Sequence, residues 1–138
     1  MAVTSPYVRR FRLLALLRAS LVAGAVYDFG FAVLMVSAPQ VPARAFDLPL
    51  PPLPQGAFYL WILATLLTML AVLYLAAAHD PRRYSAIIAV AIAGRALGAA
   101  VFAAGALRGP DLGGLIPLAA ADLAFSVAHA ASWWPIRS

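Results

Sequence analysis

The sequence predicts an all-α integral membrane protein whose 138 residues form a single transmembrane domain, a four-helix bundle. Hydrophobic residues make up 64% of the chain and charged residues only 11%, whereas soluble domains carry about 25% charged residues. Four apolar stretches, each of about 20 residues or more and so long enough to cross a bilayer, occupy most of the chain. Little is therefore left for a soluble domain.

The first predicted span covers residues 13–38 and follows a short basic segment. Asp28 interrupts its apolar core, which is also too long for a signal peptide, so we predict a membrane span. Residues 39–56 form the longest loop. The six prolines of this loop predict an extended, polyproline-like conformation without a regular helix.

The other three predicted spans cover residues 57–78, 84–107 and 114–134. Aromatic residues open the second span and close the fourth, which suits the interface between membrane and water. A polar turn at 79–83 and a turn rich in helix breakers at 108–114 connect the spans. We therefore expect four sequential helices that cross the membrane in alternating directions.

The orientation follows from the distribution of arginines in the flanks and short loops. One side has only Arg44 and Arg108. The other side has six: Arg9, Arg10, Arg12, Arg82, Arg83 and Arg137. Because positive loops stay in the cytoplasm, we expect both termini to be cytoplasmic and the proline-rich loop to be external, in a bacterial inner membrane.

Three ionisable residues from three spans fall at the same depth. At about 1.5 Å per residue, Arg95 and Asp122 both lie near the middle of their spans, and so does Asp28. A charge at this depth costs at least about 2.5 kcal/mol and usually faces a partner or a cavity. We therefore predict a site that contains Asp28, Arg95 and Asp122.

Helical spacing supports a polar interior, because Asp122, Ser126 and His129 form one stripe on the fourth span. Small or polar residues at helical spacing on the other spans are expected to face the same interior: Ser20, Gly24 and Asp28 on the first, Thr65, Thr68 and His79 on the second, and Gly94, Arg95 and Gly98 on the third. Gly94 and Gly98 also match the GxxxG pattern of close helix packing.

Two interpretations of the three charges stay open. In one, Arg95 donates to both carboxylates, and the ion cluster only fixes the register of the helices. In the other, the formal charge of −1 holds a proton or the cationic group of a ligand. The candidate ligand-binding or proton-coupling residues are Asp28, Arg95, Asp122, Ser126 and His129.

No cofactor, metal site or nucleic-acid site is predicted. Cysteine is absent, and no motif of soluble-enzyme chemistry occurs. His129 is either a hydrogen-bonded packing residue or a proton acceptor or metal ligand, and a haem between His79 and His129 needs more support than two histidines give. The expected partners are the lipid bilayer, a small lipophilic or cationic ligand, and a membrane-protein partner or a second copy.

Several short motifs resemble small bacterial four-helix membrane proteins of the DoxX-like group. These motifs are Tyr27-Asp28-Phe29-Gly30-Phe31, the run from Leu48 to Pro54, Asp80-Pro81-Arg82-Arg83-Tyr84 and Gly94-Arg95. The resemblance implies a four-helix membrane fold and no particular activity. The small multidrug-resistance transporters have a similar size, but Asp28 would have to replace the glutamate of their first span.

Three functions therefore stay open. The first is binding or transport of a small lipophilic or cationic molecule, or of protons, at the Asp/Arg/Asp site. The second is a non-catalytic accessory subunit of a larger membrane complex, and the third is a membrane enzyme acting on a lipid-like substrate. No residue is assigned a catalytic role.

Overall fold

The computed structural model describes residues 5–50, 52, 55–109 and 112–137, and within these ranges the regular elements are all helical. The elements are α1 (Pro6–Ser37), the short α2 (Gln40–Ala45), α3 (Gln55–His79), α4 (Ser85–Arg108), α5 (Leu115–Trp133) and a final 3-10 turn (Trp134–Ile136).

The four long helices are each long and apolar enough to cross a membrane. Their outward faces carry large apolar side chains, such as Val101 on α4 and Leu123 on α5, which are more than half exposed. A helix that is apolar on all sides needs an apolar solvent around it. The predicted fold class, an all-α integral membrane four-helix bundle, is confirmed.

The four spans pack as two close pairs, α1 with α3 and α4 with α5, and α1 also packs against α5. The contact between α3 and α4 is the smallest of the four neighbouring contacts. Because successive spans alternate in direction, the first turns of α1 and α4 and the last turns of α3 and α5 share one end, here named the arginine-rich end. Its arginines are Arg9, Arg10, Arg12, Arg82, Arg83 and Arg137.

The buried core lies toward this end and consists largely of small side chains. It contains Leu17, Leu21 and Ala25 from α1, Ala71, Tyr74, Ala77 and Ala78 from α3, and Ile88 and Ala91 from α4. Small residues let helix backbones approach closely, which is how helices associate in lipid. Close approach at this end brings the polar residues of different spans within reach of each other.

Helix α1 starts at Pro6, seven residues before the predicted span 13–38. Proline is favoured in the first turn of a helix because its missing N–H has no intrahelical partner there. The arginines that follow are good helix formers, so the basic segment continues the helix beyond the apolar stretch.

The proline-rich loop differs from the prediction of an extended chain, because α2 lies inside it. Pro39 precedes this helix and Pro42 is its third residue, and neither position requires an N–H donor for an intrahelical bond. Asp47, with a φ of 47°, turns the chain out of α2. Residues 51, 53 and 54 of the loop lie outside the described residues.

Candidate functional site

Arg95 on α4 binds carboxylates from two other spans. Its Nη2 donates to Oδ1 of Asp28 on α1 at 2.7 Å, and its Nη1 donates to Oδ1 of Asp122 on α5 at 2.5 Å. The three residues are 7%, 1% and 7% exposed, respectively. The structure thus brings the three predicted charges together in one buried ion cluster.

Three aromatic rings surround the guanidinium of Arg95. Its Cζ lies 5.4 Å from the ring centroids of Tyr27 and Tyr74 and 5.1 Å from that of Phe125. Each such cation–π contact contributes about 0.5–2 kcal/mol, more when water is excluded. Since Tyr27 lies on α1, Tyr74 on α3 and Phe125 on α5, Arg95 contacts every other span.

Two glycines make room for this arrangement. A Cβ atom at Gly24 of α1 would stand 3.3 Å from Cδ2 of Tyr74, so the glycine lets the tyrosine ring pack against the helix. A Cβ atom at Gly98 of α4 would stand 2.5 Å from Oδ2 of Asp122. At Gly24, one turn before Asp28, the group that approaches the helix is therefore an aromatic ring.

His129 on α5 is fully buried and hydrogen-bonded across the bundle. Its Nδ1 lies 2.9 Å from the hydroxyl of Ser20 on α1, and that hydroxyl donates to the carbonyl of Leu17, also at 2.9 Å. The hydroxyl has one proton, so which ring nitrogen of His129 carries a hydrogen depends on whether that proton goes to Leu17 or to Nδ1. In either tautomer His129 makes one hydrogen bond across the bundle, and its Nε2 has no partner among the described residues.

Ser126 also connects spans, because its hydroxyl donates to the backbone carbonyl of Ile92 on α4 at 2.9 Å. Ile92 lies one turn before Arg95 on the same helix. Ser126 therefore fixes α5 against α4 next to the ion cluster, and its hydrogen atom is already used.

Three buried polar atoms around Arg95 have no hydrogen-bond partner among the described residues. They are Oδ2 of Asp28, Nε of Arg95 and Nε2 of His129. Nearly all buried polar groups in folded proteins are hydrogen-bonded, so each of these atoms requires a partner such as a water molecule or a ligand group. Asp28 and Arg95 also line the cleft described next, and His129 is not among its described lining residues.

A cleft of about 200 Å³ between α3 and α4 reaches the ion cluster. Asp28, Arg95 and Asp122 all contribute to its lining. Leu70 and Val90, which also line the cleft, are 37% and 65% exposed on the outer surface of the bundle. The cleft thus connects the lipid-facing surface with the charged residues, at the helix pair that packs least closely.

Helix α3 does not present the predicted polar face to the interior. Thr65 and Thr68 donate to the carbonyls of Trp61 and Ala64 one turn earlier, at 2.9 and 2.8 Å, and Thr65 is exposed. His79 is exposed as well, at the helix end. The prediction is wrong for Thr65 and His79, which are exposed, whereas Thr68 is half-buried with its hydroxyl bonded to its own backbone.

The close packing of helix backbones predicted from the GxxxG pattern is found at neither glycine. Gly94 is exposed, and a Cβ atom there would meet nothing within 4 Å. Gly98 faces a carboxylate instead of a helix backbone. The pattern therefore serves the ion cluster more than close helix packing.

The residue that α3 contributes to the site is Tyr74, which sequence analysis missed. Counted from the arginine-rich end at about 1.5 Å per residue, Tyr74 lies about 8 Å deep and Arg95 about 15 Å. Helical side chains lean toward the N-terminus of their own helix. Tyr74 therefore leans away from the arginine-rich end, toward the middle of the membrane, and Arg95 leans toward that end. The two meet although their backbones lie at different depths.

No family model, curated protein or solved structure matches the chain in the comparisons with known proteins. The fold and the site together define an integral membrane helical bundle with a buried Asp/Arg/Asp cluster. Among the described residues, no three histidine, aspartate or glutamate side chains are placed so that they could hold a metal ion together.

Proposed function

We propose that this protein binds a small lipophilic molecule with a cationic head group, which reaches the ion cluster from the bilayer through the α3–α4 cleft. The observation that carries the proposal is Asp28. This carboxylate is 1% exposed, lines the cleft and uses only Oδ1 on Arg95, so that Oδ2 is left without a partner among the described residues.

Charge supports a cationic ligand. Two carboxylates and one guanidinium give the cluster a formal charge of −1, and an uncompensated charge in a low-dielectric interior is costly. A bound ammonium group would neutralise the cluster and donate to Oδ2 of Asp28. In the absence of the ligand, the same oxygen is where a proton would bind, which links cation binding to proton movement.

The shape of the cleft supports a lipophilic ligand. A volume of about 200 Å³ accommodates an ammonium group with a few carbon atoms. Apolar side chains such as Leu70 and Val90 continue the lining to the lipid-facing surface, where an alkyl tail would leave the cleft. Arg95, held by two carboxylates, acts as a positioning residue that orients Asp28 and Asp122.

The test uses dodecylammonium as the probe and dodecanol as its neutral counterpart, with the purified full chain in lipid nanodiscs. We expect saturable binding of dodecylammonium that dodecanol does not displace. Asp28→Asn keeps the size of the side chain and an oxygen for Arg95, but replaces the accepting Oδ2 with an amide NH2 group, which can only donate. Binding should weaken by about 2–5 kcal/mol, which is at least about thirtyfold.

Asp47→Asn is the matched control, because Asp47 is exposed in the loop after α2. It makes the same chemical change, and asparagine tolerates the positive φ of this position. Asp122→Asn also neutralises the cluster and should reduce binding while the bundle stays folded. Equal binding by wild type, Asp28→Asn and Asp122→Asn would refute the proposal.

A second candidate is the accessory subunit, in which the ion cluster only locks the bundle. It is supported by a groove between α1 and α5 whose lining is rich in small residues, as at helix contacts in membranes. The groove includes Ala19, Ala23, Ala121, Ala124 and Ala128. Absence of dodecylammonium binding, together with unfolding of Asp28→Asn, would favour this candidate.

A further inference from the structure

A second cavity, at the arginine-rich end, is separate from the ion cluster. Its volume is about 460 Å³, and it lies between the start of α1, the α3–α4 turn and the C-terminal segment. We name it the arginine cavity after its lining, which includes Arg10, Leu14, Arg82, Ser85, Trp133 and Arg137.

The charged side chains among the described residues that line the arginine cavity are all arginines. Arg10, Arg82 and Arg137 come from three separate segments of the chain, and no carboxylate is among the described residues that line the cavity. Asp80, in the same turn as Arg82, accepts a hydrogen bond from the backbone N–H of Arg83 at 3.1 Å. Three guanidinium groups around one cavity are suited to phosphate oxygens.

The first turn of α4 adds to this potential. Ser85, the first residue of the 24-residue helix, lies in the cavity lining and brings a hydroxyl group. The N-terminus of a helix carries a partial positive charge that favours a bound anion. The helix therefore acts in the same direction as the three arginines.

The orientation of the protein in the membrane does not by itself explain why three arginines lie around one cavity. Orientation depends on the number of positive residues in the loops and does not require their side chains to meet at one place. The flanks and the turn at this end carry six arginines, and Arg18 also reaches this end, where it donates to the carbonyl of His79. Of these seven, Arg10, Arg82 and Arg137 line the cavity, while the guanidinium of Arg83 packs 5.5 Å from the ring centroid of Tyr84.

The remaining wall is apolar and suits a membrane lipid. Leu14 and Ile136 line the cavity beside Trp133, whose ring lies 5.9 Å from Cζ of Arg137. Tryptophan is typical of the head-group level of a bilayer, where an apolar wall next to cations meets both parts of a phospholipid. Basic pockets between spans are known to bind phosphate head groups.

We infer that the arginine cavity binds the phosphate head group of an anionic phospholipid from the surrounding bilayer. The phosphate contacts the three arginines and the start of α4, and the glycerol and upper acyl carbons contact Leu14, Trp133 and Ile136. This site is independent of the cation site at Asp28, so either one can fail without the other.

The test compares phosphatidylglycerol with phosphatidylcholine of the same acyl chains, bound to the detergent-purified full chain and resolved by native mass spectrometry. We expect tighter binding of phosphatidylglycerol. The triple variant Arg10→Gln, Arg82→Gln and Arg137→Gln should lose this preference. Because one arginine near an anionic surface contributes about 1 kcal/mol, about fivefold in affinity, the loss should exceed about tenfold.

The control is the triple variant Arg9→Gln, Arg12→Gln and Arg83→Gln, which removes the same charge from the same end but from outside the cavity lining. It should keep the preference for phosphatidylglycerol. If the cavity variant fails to fold, the neighbouring single variants Arg82→Gln and Arg83→Gln make the same comparison, and only the first should weaken binding.

Three results would overturn the inference. Equal binding of the two lipids would show that no anionic site exists. An equal loss in the cavity variant and in the control would show only a general surface potential. Displacement of the lipid by water-soluble glycerol phosphate at a similar concentration would show that the ligand is a free phosphate compound and not a membrane lipid.

Discussion

Gly98 on α4 lies directly against the carboxylate of Asp122 on α5, and a Cβ atom at this position would stand 2.5 Å from Oδ2. Gly94, one turn earlier on the same helix, has open space where its Cβ would be. The two glycines of one motif thus have opposite surroundings, which allows the same substitution to be compared at both.

Gly98→Ala should destabilise the bundle by about 1–3 kcal/mol, because the added methyl group displaces the carboxylate that binds Arg95. Gly94→Ala should be neutral or slightly stabilising, since alanine is favoured over glycine in a helix by up to about 1 kcal/mol. Thermal unfolding in detergent measures both. Equal effects of the two variants would show that the position of the Asp122 carboxylate does not depend on the space left by Gly98.

Arg95→Leu should destabilise the bundle by about 3–5 kcal/mol, because it leaves two buried carboxylates without their donor. The triple variant Asp28→Asn, Arg95→Leu and Asp122→Asn removes all three charges and should recover much of the lost stability. Thermal unfolding in detergent again provides the measurement. Unfolding of Arg95→Leu at the wild-type temperature would show that Arg95 is not the buried partner of the aspartates.

The orientation of the bundle is tested with a reporter that is active only outside the cytoplasm. Fused after Ser138 it should be inactive, and inserted near Pro51 it should be active, because six arginines lie at one end of the bundle. Activity at the C-terminus would reverse the proposed orientation and place the arginine cavity on the external face.

The ion cluster was predictable from sequence because membrane depth restricts where a charge can lie. Counting residues placed Asp28, Arg95 and Asp122 at one level, and the cost of an unpaired charge required that they meet. The stripe of Asp122, Ser126 and His129 followed from helical spacing, and all three are buried.

The aromatic residues around Arg95 were not predictable by the same argument. Tyrosine at the end of a span usually marks the interface, so Tyr74 carried no signal of its own. Its contact with Arg95 depends on the direction in which each side chain leans and on the space left by Gly24. These quantities appear only when the helices are placed next to each other.

The polar face expected on α3 failed for a related reason. Thr65 and Thr68 have the correct spacing for a shared face, but spacing does not say whether that face turns inward. The small residues of the core determine which face of α3 turns inward. Ala71, Ala77 and Ala78 let α3 pack closely through a face other than the one that carries the two threonines.

The contacts of Arg95 with all other spans also bear on the order in which the bundle forms. Membrane helices enter the bilayer from the N-terminus onward, so Asp28 on α1 is inserted before Arg95 on α4, and Asp122 on α5 follows last. Until α5 is in place, Arg95 has one of its two carboxylates and lacks the ring of Phe125. Insertion of α5, the fourth span, is therefore the step that completes the cluster.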